Sequence, residues 1–181
     1  MEGIQLWWIG ERPADPRLLE HVRSHLVRAF DLPVALGDGP GRPTTAFDTR
    51  RRQWSSTGIL RWLLERAPDG AKVLGLTDVD LFIPILTFVF GEAQLGGVAA
   101  VVSTARLGDP PEMGDGRVIW ERTAKEAVHE LGHAFGLVHC GTPGCVMGRS
   151  ASVRDVDLKR GDLCPDCRTR LAERDGKGSG A

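Results

Sequence analysis

The first part of the chain alternates between short apolar runs and segments with helical hydrophobic spacing. The apolar and aromatic run Ile4–Gly10 predicts a strand. Asp15 and Pro16 are typical of a helix start, and the apolar residues that follow recur at helical spacing (Leu18, Leu19, Val22, Leu26 and Phe30). "LPVALGDGPGRP" reads as a brief strand and then a loop. Ser55–Ala67 predicts a second helix, capped by one of its leading hydroxyl residues.

Valine-rich runs come next, and a long amphipathic segment follows them. "AKVLGLTDVDLF" and "GVAAVVST" read as strands, and "FVFGEAQLGG" between them suggests another strand and a glycine turn. After the loop "RLGDPPEMGDG", a helix is predicted from about 117 to 137, with an apolar stripe at Ala124, Val128, Leu131 and Phe135. This order of elements predicts an α/β fold with helices packed against a twisted sheet.

The end of the chain has a different character. After Gly141 the sequence becomes polar, and we expect irregular structure there. The tail at 175–181, "DGKGSGA", offers nothing to bury and is predicted to be disordered.

Composition narrows the class of protein. A chain of 181 residues fits one domain, and 41% hydrophobic with 26% charged residues is ordinary for a globular protein. A net charge of −1, without a long run of one sign, argues against nucleic-acid and membrane partners. "MEGIQLWWIG" has no signal-peptide pattern, and no segment has the roughly 20 apolar residues that span a bilayer. We therefore expect a cytoplasmic protein. A monomer is a separate expectation, which composition does not decide.

The stretch "HELGHAFGLVHC", residues 129–140, carries the first candidate chemistry. His129 and His133 are four residues apart on a predicted helix, so both can grip one metal ion from the same face. Gly136 can adopt a left-handed conformation and end the helix, which lets His139 supply a third nitrogen. Glu130 is rotated around the helix, so it cannot easily bind the same ion but can reach a water bound to it.

Three neutral histidines suit zinc and leave a fourth position open for water, which is typical of a catalytic site. Zinc can lower the pKa of that water from about 15.7 to near 7, and Glu130 would then act as the general base. The implied reaction is hydrolysis of a peptide bond. His-Glu-x-x-His alone also occurs by chance on ordinary helices, but the added Gly136 and His139 make chance a poor explanation.

The four cysteines form a second candidate site. Cys140 and Cys145 enclose "GTPG", Cys164 and Cys167 enclose "PD", and the 18 residues 146–163 separate the pairs. Thiols stay reduced in the cytosol, and two such pairs are typical of a closed four-thiolate zinc site. A redox-active "CPDC" is the alternative, and Cys140 could also replace His139 as third ligand of the first zinc.

Two further features leave alternatives open. Met147, two residues after Cys145, could form a hydrophobic floor under the metal or simply fill a gap in the core. His21 and His25 have a spacing that could bind a metal, but with no third ligand evident nearby a solvated helix face is the preferred interpretation.

The whole pattern resembles a known family. His129-Glu130-x-x-His133-x-x-Gly136-x-x-His139 resembles the extended motif of the metzincin zinc peptidases. Combined with the four cysteines and Met147, it is similar to the archaemetzincins. The segment Leu74–Leu107 is also similar to that family, and the resemblance covers about residues 70 to 168.

The resemblance implies a single metzincin-like catalytic domain over 1–174. Its upper subdomain, about 1–136, would hold a twisted mixed sheet and two long helices, and a small irregular lower subdomain, about 137–174, would be stapled by zinc. "GGVAAVVS" would be the edge strand that aligns a peptide.

The resemblance also assigns residue roles and two zinc ions per chain. His129, His133 and His139 would hold the catalytic zinc, with Glu130 as general base and Met147 as the Met-turn residue. Cys140, Cys145, Cys164 and Cys167 would hold the structural zinc. Some metzincins stabilise the transition state with a tyrosine, and this chain has none.

Three functions compete. The leading hypothesis is a zinc-dependent metallopeptidase, a hydrolase that acts on a peptide or protein substrate. The alternative is a non-catalytic zinc-binding protein that binds peptides or a partner. A zinc-ribbon nucleic-acid binder is disfavoured because acidic residues alternate with the basic ones in "DVDLKRGDLCPDCRTRLAERDGK".

Overall fold

A computed structural model describes residues 3–10, 15–39, 41–108 and 116–175 of the chain. Most of the predicted loop at 106–116 and residues 176–181 of the predicted tail lie outside these ranges. In chain order the helices and strands are β1 (Gly3–Trp8), α1 (Pro16–Phe30), β2 (Val34–Asp38), β3 (Phe47–Asp48), β4 (Gln53–Ser55), α2 (Ser56–Leu64), β5 (Ala71–Thr77), β6 (Leu81–Phe82), β7 (Gly91–Ala93), β8 (Ala99–Ser103), α3 (Arg117–Ala134), α4 (Val153–Leu158) and α5 (Pro165–Asp175).

A five-stranded mixed sheet with the order β2-β1-β5-β8-β7 forms the centre of the molecule. The first four of these strands run parallel, and β7 pairs antiparallel with β8 at one edge. Alternate residues of the strands enter two separate hydrophobic cores, as the period of a strand requires. Leu74 and Leu76 face α1 and α3, whereas Val73 faces α2 on the other side. The predicted layered α/β fold is confirmed.

The two long helices begin and pack as their sequences predict. The Asp15 side chain accepts a hydrogen bond from the Arg17 N–H at the start of α1, with Pro16 in the first turn. All four residues of the predicted stripe on α3 are buried. None of the described helices has the length and apolar character needed to cross a membrane.

Other boundaries and elements differ from the prediction. Both α2 and α3 end three residues earlier than expected. A small sheet, β3-β4-β6, was not predicted because its strands of two or three residues are too short to show a period. The expectation of irregular chain after Gly141 is wrong in part, since α4 and α5 lie there. A capping box between Ser152 and Asp155 begins α4.

Arg122 connects α3 to α4. Its side chain is 7% exposed, and Nε and Nη2 each donate to a carboxylate oxygen of Asp157 at 2.8 Å. Nη1 donates to the Leu107 carbonyl at 2.9 Å. One planar guanidinium therefore bonds the segment before α3 and the helix after the histidines together, a geometry that lysine cannot reproduce.

We predict that Arg122→Lys lowers the free energy of unfolding by about 1–3 kcal/mol, because the buried Leu107 carbonyl loses its donor and Asp157 loses its bidentate partner. Urea denaturation measures the change. Arg154→Lys, an exposed position on α4, is the matched control and should stay within about 0.5 kcal/mol of the wild type. Equal midpoints for the two variants would show that this contact does not anchor α4.

Candidate active site

The three histidines of "HELGHAFGLVHC" converge on one point. His129 and His133 lie one turn apart on α3, and Gly136, with φ of 86°, turns the chain back so that His139 faces them. The Nε2 atoms of His129 and His133 are 3.1 Å apart, and one nitrogen from each of the three rings lies within 4.8 Å of the others. Two nitrogens each about 2.0–2.1 Å from a tetrahedral zinc ion would be about 3.3 Å apart, so the spacing fits that ion.

Backbone carbonyls set the orientation of the first two rings. The Nδ1 atoms of His129 and His133 lie 2.9 Å and 2.8 Å from the carbonyl oxygens of Val146 and Leu137. Because a carbonyl only accepts, each Nδ1 carries the proton and donates. A neutral ring then leaves Nε2 without a hydrogen, so the two Nε2 atoms are hydrogen-bond acceptors only 3.1 Å apart. Two acceptors this close repel each other unless a proton or a metal ion is shared between them, and the spacing fits a shared metal ion.

The environment favours the neutral form of all three rings. Burial lowers the pKa of His129 well below 6.5, and the positive charge of Lys159 adds to the effect. Burial is also the main cause of the lowered pKa of His133, and of His139, where His133 and Arg149 contribute as well. Neutral imidazoles are the form that binds metal.

Glu130 lies in the wall of the same cavity, with its side chain buried. Burial raises the pKa of its carboxyl well above 4.5, and the neighbouring charge of Glu126 raises it further. Gly91 of β7 allows this position, because a Cβ atom there would lie 2.7 Å from Cγ of Glu130. The edge strand can therefore approach the carboxylate only through a residue without a side chain.

A cavity of about 460 Å³ opens in front of the histidines. One wall is the segment 86–91, which includes the start of β7, and the other contains residues 149–151. The edge strand beside the cavity is thus β7, and the assignment of "GGVAAVVS" as edge strand is wrong. That segment contains β8, which pairs with a neighbour on both sides. The prediction was wrong because β8 is a longer apolar run than β7 and therefore stands out in the sequence.

The four cysteines form a separate cluster with its sulfur atoms within 4.8 Å of one another. The Sγ atoms of Cys140 and Cys164 are 3.8 Å apart, as are those of Cys145 and Cys167. A disulfide needs about 2.05 Å, whereas thiolates at about 2.3 Å from a tetrahedral zinc are about 3.8 Å apart. Burial raises the pKa of Cys164, but hydrogen bonds from Cys167 and neighbouring thiols bring it down to about 7. The cluster fits a closed metal site and not a redox disulfide.

Met147 lies directly against the histidine helix. It is fully buried, and a Cβ atom on Gly132 of α3 would overlap with its sulfur. Its carbonyl oxygen accepts a hydrogen bond from the Cys140 N–H at 3.0 Å. Met147 therefore packs under the turn between His129 and His133 and also connects that turn to the cysteine segment.

A buried ion pair behind His129 was missed at the sequence level. Lys159 Nζ lies 2.9 Å from Glu126 Oε1, and the two side chains are only 4% and 3% exposed. The same ammonium group is 3.5 Å from Nδ1 of His129. Glu126 precedes the histidine motif on α3, which is a weak signal, but nothing local indicates that Lys159 would fold back onto it.

A third group of potential metal ligands includes His21 and His25, for which a solvated helix face was the preferred interpretation. His21 and His25 on α1 lie close to Glu121 on α3, and one ligand atom from each is within 4.8 Å of the other two. The statement that no third ligand is nearby is therefore wrong. The carboxylate comes from a helix a hundred residues away in sequence, so spacing alone could not indicate it.

Known proteins share both the sequence and the fold. The sequence model of Peptidase family M54 matches residues 68–173. The archaemetzincin of Natronomonas pharaonis is 35% identical over 90% of this chain and 95% of its own length. The crystal structure of the Methanopyrus kandleri archaemetzincin matches with a TM-score of 0.83 and 34% identity, covering 95% of both chains. A zinc-dependent peptidase from Methanocorpusculum labreanum matches with a TM-score of 0.81 and 31% identity, covering 93% of this chain and 100% of that one.

The fold, the two ligand clusters and these matches define a zinc metallopeptidase, which is a hydrolase that acts on peptides or proteins. Within that class, the chain belongs to Peptidase family M54, the archaemetzincins. The resemblance based on the histidine and cysteine motifs is confirmed.

Burial of Glu130 gives a prediction for the metal-free protein. The carboxyl pKa is raised above 4.5 in the folded chain, so above pH 4.5 the unfolded chain releases a proton that the folded chain retains. The stability that this group contributes therefore falls as pH rises, and the neutral Glu130→Gln variant avoids the loss.

We expect metal-free Glu130→Gln to melt at a higher temperature than the wild type at neutral pH, with the two curves converging at and below pH 4.5. Melting temperatures across this range measure the effect. Glu173→Gln, at an exposed glutamate on α5, is the matched control. A difference in melting temperature between Glu130→Gln and the wild type that does not change with pH would contradict the raised pKa of Glu130.

Proposed function

We propose that His129, His133 and His139 bind one zinc ion and that Glu130 is the general base in peptide-bond hydrolysis. The observation that carries this proposal is the close pair of Nε2 atoms, 3.1 Å apart on rings that two backbone carbonyls orient. Zinc, when bound, supplies a positive charge that acidifies water and polarises a carbonyl group.

The residues around the site fit the proton transfers of this reaction. Glu130 accepts a proton from the attacking water and returns it to the leaving amine. Burial raises its pKa, which makes the carboxylate a stronger base toward the water proton than an exposed glutamate. The cavity in front of the histidines gives the substrate access to this carboxylate.

We propose that β7 aligns the substrate. Its partner β8 occupies one side only, so the main-chain groups on its other side are available to an extended peptide. Phe90 and Gly91 line the cavity beside Glu130, which would bring a peptide added to this edge across the site.

We further propose a second, structural zinc held by the four cysteines, making two ions per chain. The sulfur spacing and the absence of disulfides among these residues support it. Within a single domain over 1–174, this ion would anchor a lower part from about 137 to 174 to an upper part over about 1–136. Four reduced thiols also favour a cytoplasmic location.

We predict that Glu130→Gln lowers kcat for peptide cleavage about 10²–10⁴-fold while zinc content stays at the wild-type value, because the side chain acts on the proton and not on the metal. A broad peptide library with metal analysis of the same samples measures both quantities. Glu173→Gln is the control.

Two results would contradict this proposal. Cleavage by Glu130→Gln at the wild-type rate would remove its role as base. A zinc-loaded wild type that binds library peptides but cleaves none of them would support the non-catalytic alternative.

Cys140→Ser tests the coupling between the two sites. Cys140 follows His139 directly, so loss of the structural ion should release the third histidine. We expect catalytic zinc affinity to fall about tenfold or more, as for other residues that orient metal ligands. Cys167→Ser removes a ligand far from His139 in sequence. It therefore distinguishes loss of the structural ion from a local effect of the Cys140 substitution on His139.

Competitive titration with a zinc chelator measures affinity for the catalytic ion. A fall in both variants indicates anchoring through the structural ion, and a fall in Cys140→Ser alone indicates a local effect at His139. If neither variant changes catalytic zinc affinity or activity, the two sites are not coupled.

A further inference from the structure

A cluster of three potential ligands lies outside both sites described above, between α1 and α3. Nε2 of His21 is 3.1 Å from Oε1 of Glu121, and Nε2 of His25 is 3.9 Å from Oε2 of the same carboxylate. Ligands of one tetrahedral ion lie about 3.3 Å apart, so the three side chains need only small adjustments to share an ion. The His21 distance equals the separation between His129 and His133.

The orientation of His25 is set as it would be in a metal site. Its Nδ1 lies 2.9 Å from the carbonyl oxygen of His21, so Nδ1 donates and Nε2 is left as a lone pair on the side of Glu121. A histidine ligand is usually oriented by such a bond from its other nitrogen to a carbonyl or carboxylate.

His21 supplies a second observation. Its Nε2 is shielded from solvent, yet it makes no hydrogen bond to any described residue, since its approach to Glu121 lacks hydrogen-bond geometry. A shielded nitrogen without a hydrogen-bond partner calls for an ion or a water. An ordinary ion pair between the helices would direct the N–H at the carboxylate.

The surroundings allow an ion to enter and to stay. A groove lined by Pro16, Arg17, Glu20, His21, Ser24 and Trp120 runs beside the cluster. The side chain of Glu121 is 52% exposed, whereas that of His25 is 11% exposed and packs near Gly161. An ion would therefore meet water on one side and fixed ligands on the other.

We propose that His21, His25 and Glu121 form a third metal site, which binds a first-row divalent ion such as Zn²⁺ and joins α1 to α3. Two imidazoles and one carboxylate are ligands that zinc, cobalt, nickel and copper accept, with remaining positions taken by water. Glu121 lies two turns before His129 on α3, so the site would hold the histidine helix against α1. None of these three residues belongs to the proposed catalytic or structural site.

Zinc titration of the full-length protein, followed by calorimetry, tests the site. Glu121→Gln removes the carboxylate charge at an exposed position, and Glu20→Gln is the matched control beside the same groove. We expect wild type and Glu20→Gln to bind one ion more than Glu121→Gln, or to bind that ion at least about tenfold more tightly. The test compares the number and affinity of bound zinc ions between variants. Occupancy of the other two sites is the same in each variant, so it does not affect the comparison.

His25→Gln and thermal melting provide an independent check. Added zinc should raise the melting temperature of wild type and Glu20→Gln more than that of Glu121→Gln or His25→Gln. Circular dichroism confirms that each variant is folded before titration. Equal ion counts and affinities in wild type and Glu121→Gln, or an equal zinc-induced rise in all four proteins, would overturn the proposal and leave a simple contact between two helices.

Discussion

Two imidazole nitrogens, Nε2 of His129 and Nε2 of His133, are held 3.1 Å apart inside the protein, and the proposed active site depends on this arrangement. In water two such groups would rotate apart. Here the carbonyls of Leu137 and Val146 hold both rings, and each carbonyl belongs to the chain that follows the histidine helix. The position of the segment after Gly136 therefore decides whether the histidines can bind a metal at all.

That segment is short and has few apolar residues of its own, so other contacts must hold it. Met147 packs against Gly132, the cysteine cluster brings α5 to Cys140, and Arg122 fixes α4. Lys159 and Glu126 add a buried ion pair directly behind His129. A buried pair of this kind is costly to break, because either charge alone would be left without compensation. Polar and sulfur contacts thus hold the chain after Gly136 in addition to its packing against the main core.

The sequence predicted most of what depends on local spacing. Helical periodicity indicated α1 and α3, and the positions of His129, His133 and Gly136 indicated how three rings could meet. Contacts between distant segments were not predictable in this way. Lys159 meets Glu126, and Glu121 meets His21, only because helices far apart in the sequence pack together.

The edge strand was misassigned for a related reason. A strand buried on both sides is rich in valine and stands out in a sequence, whereas the three residues of β7 do not. Its proposed role in aligning a peptide rests on its place at the end of the sheet and on the close approach of Gly91 to Glu130. Both are properties of the packed molecule.

Diffraction from crystals of the zinc-loaded protein, recorded on both sides of the zinc absorption edge, tests the central claim most directly. The account predicts one anomalous peak within reach of the Nε2 atoms of His129 and His133 and of His139, and a second peak among the four sulfur atoms. The separate proposal for α1 and α3 adds a third peak beside His21, His25 and Glu121. The account also predicts that both Nδ1 atoms still face the carbonyls of Val146 and Leu137. A single peak that joins His129, His133 and Cys140, with His139 turned away, would contradict it.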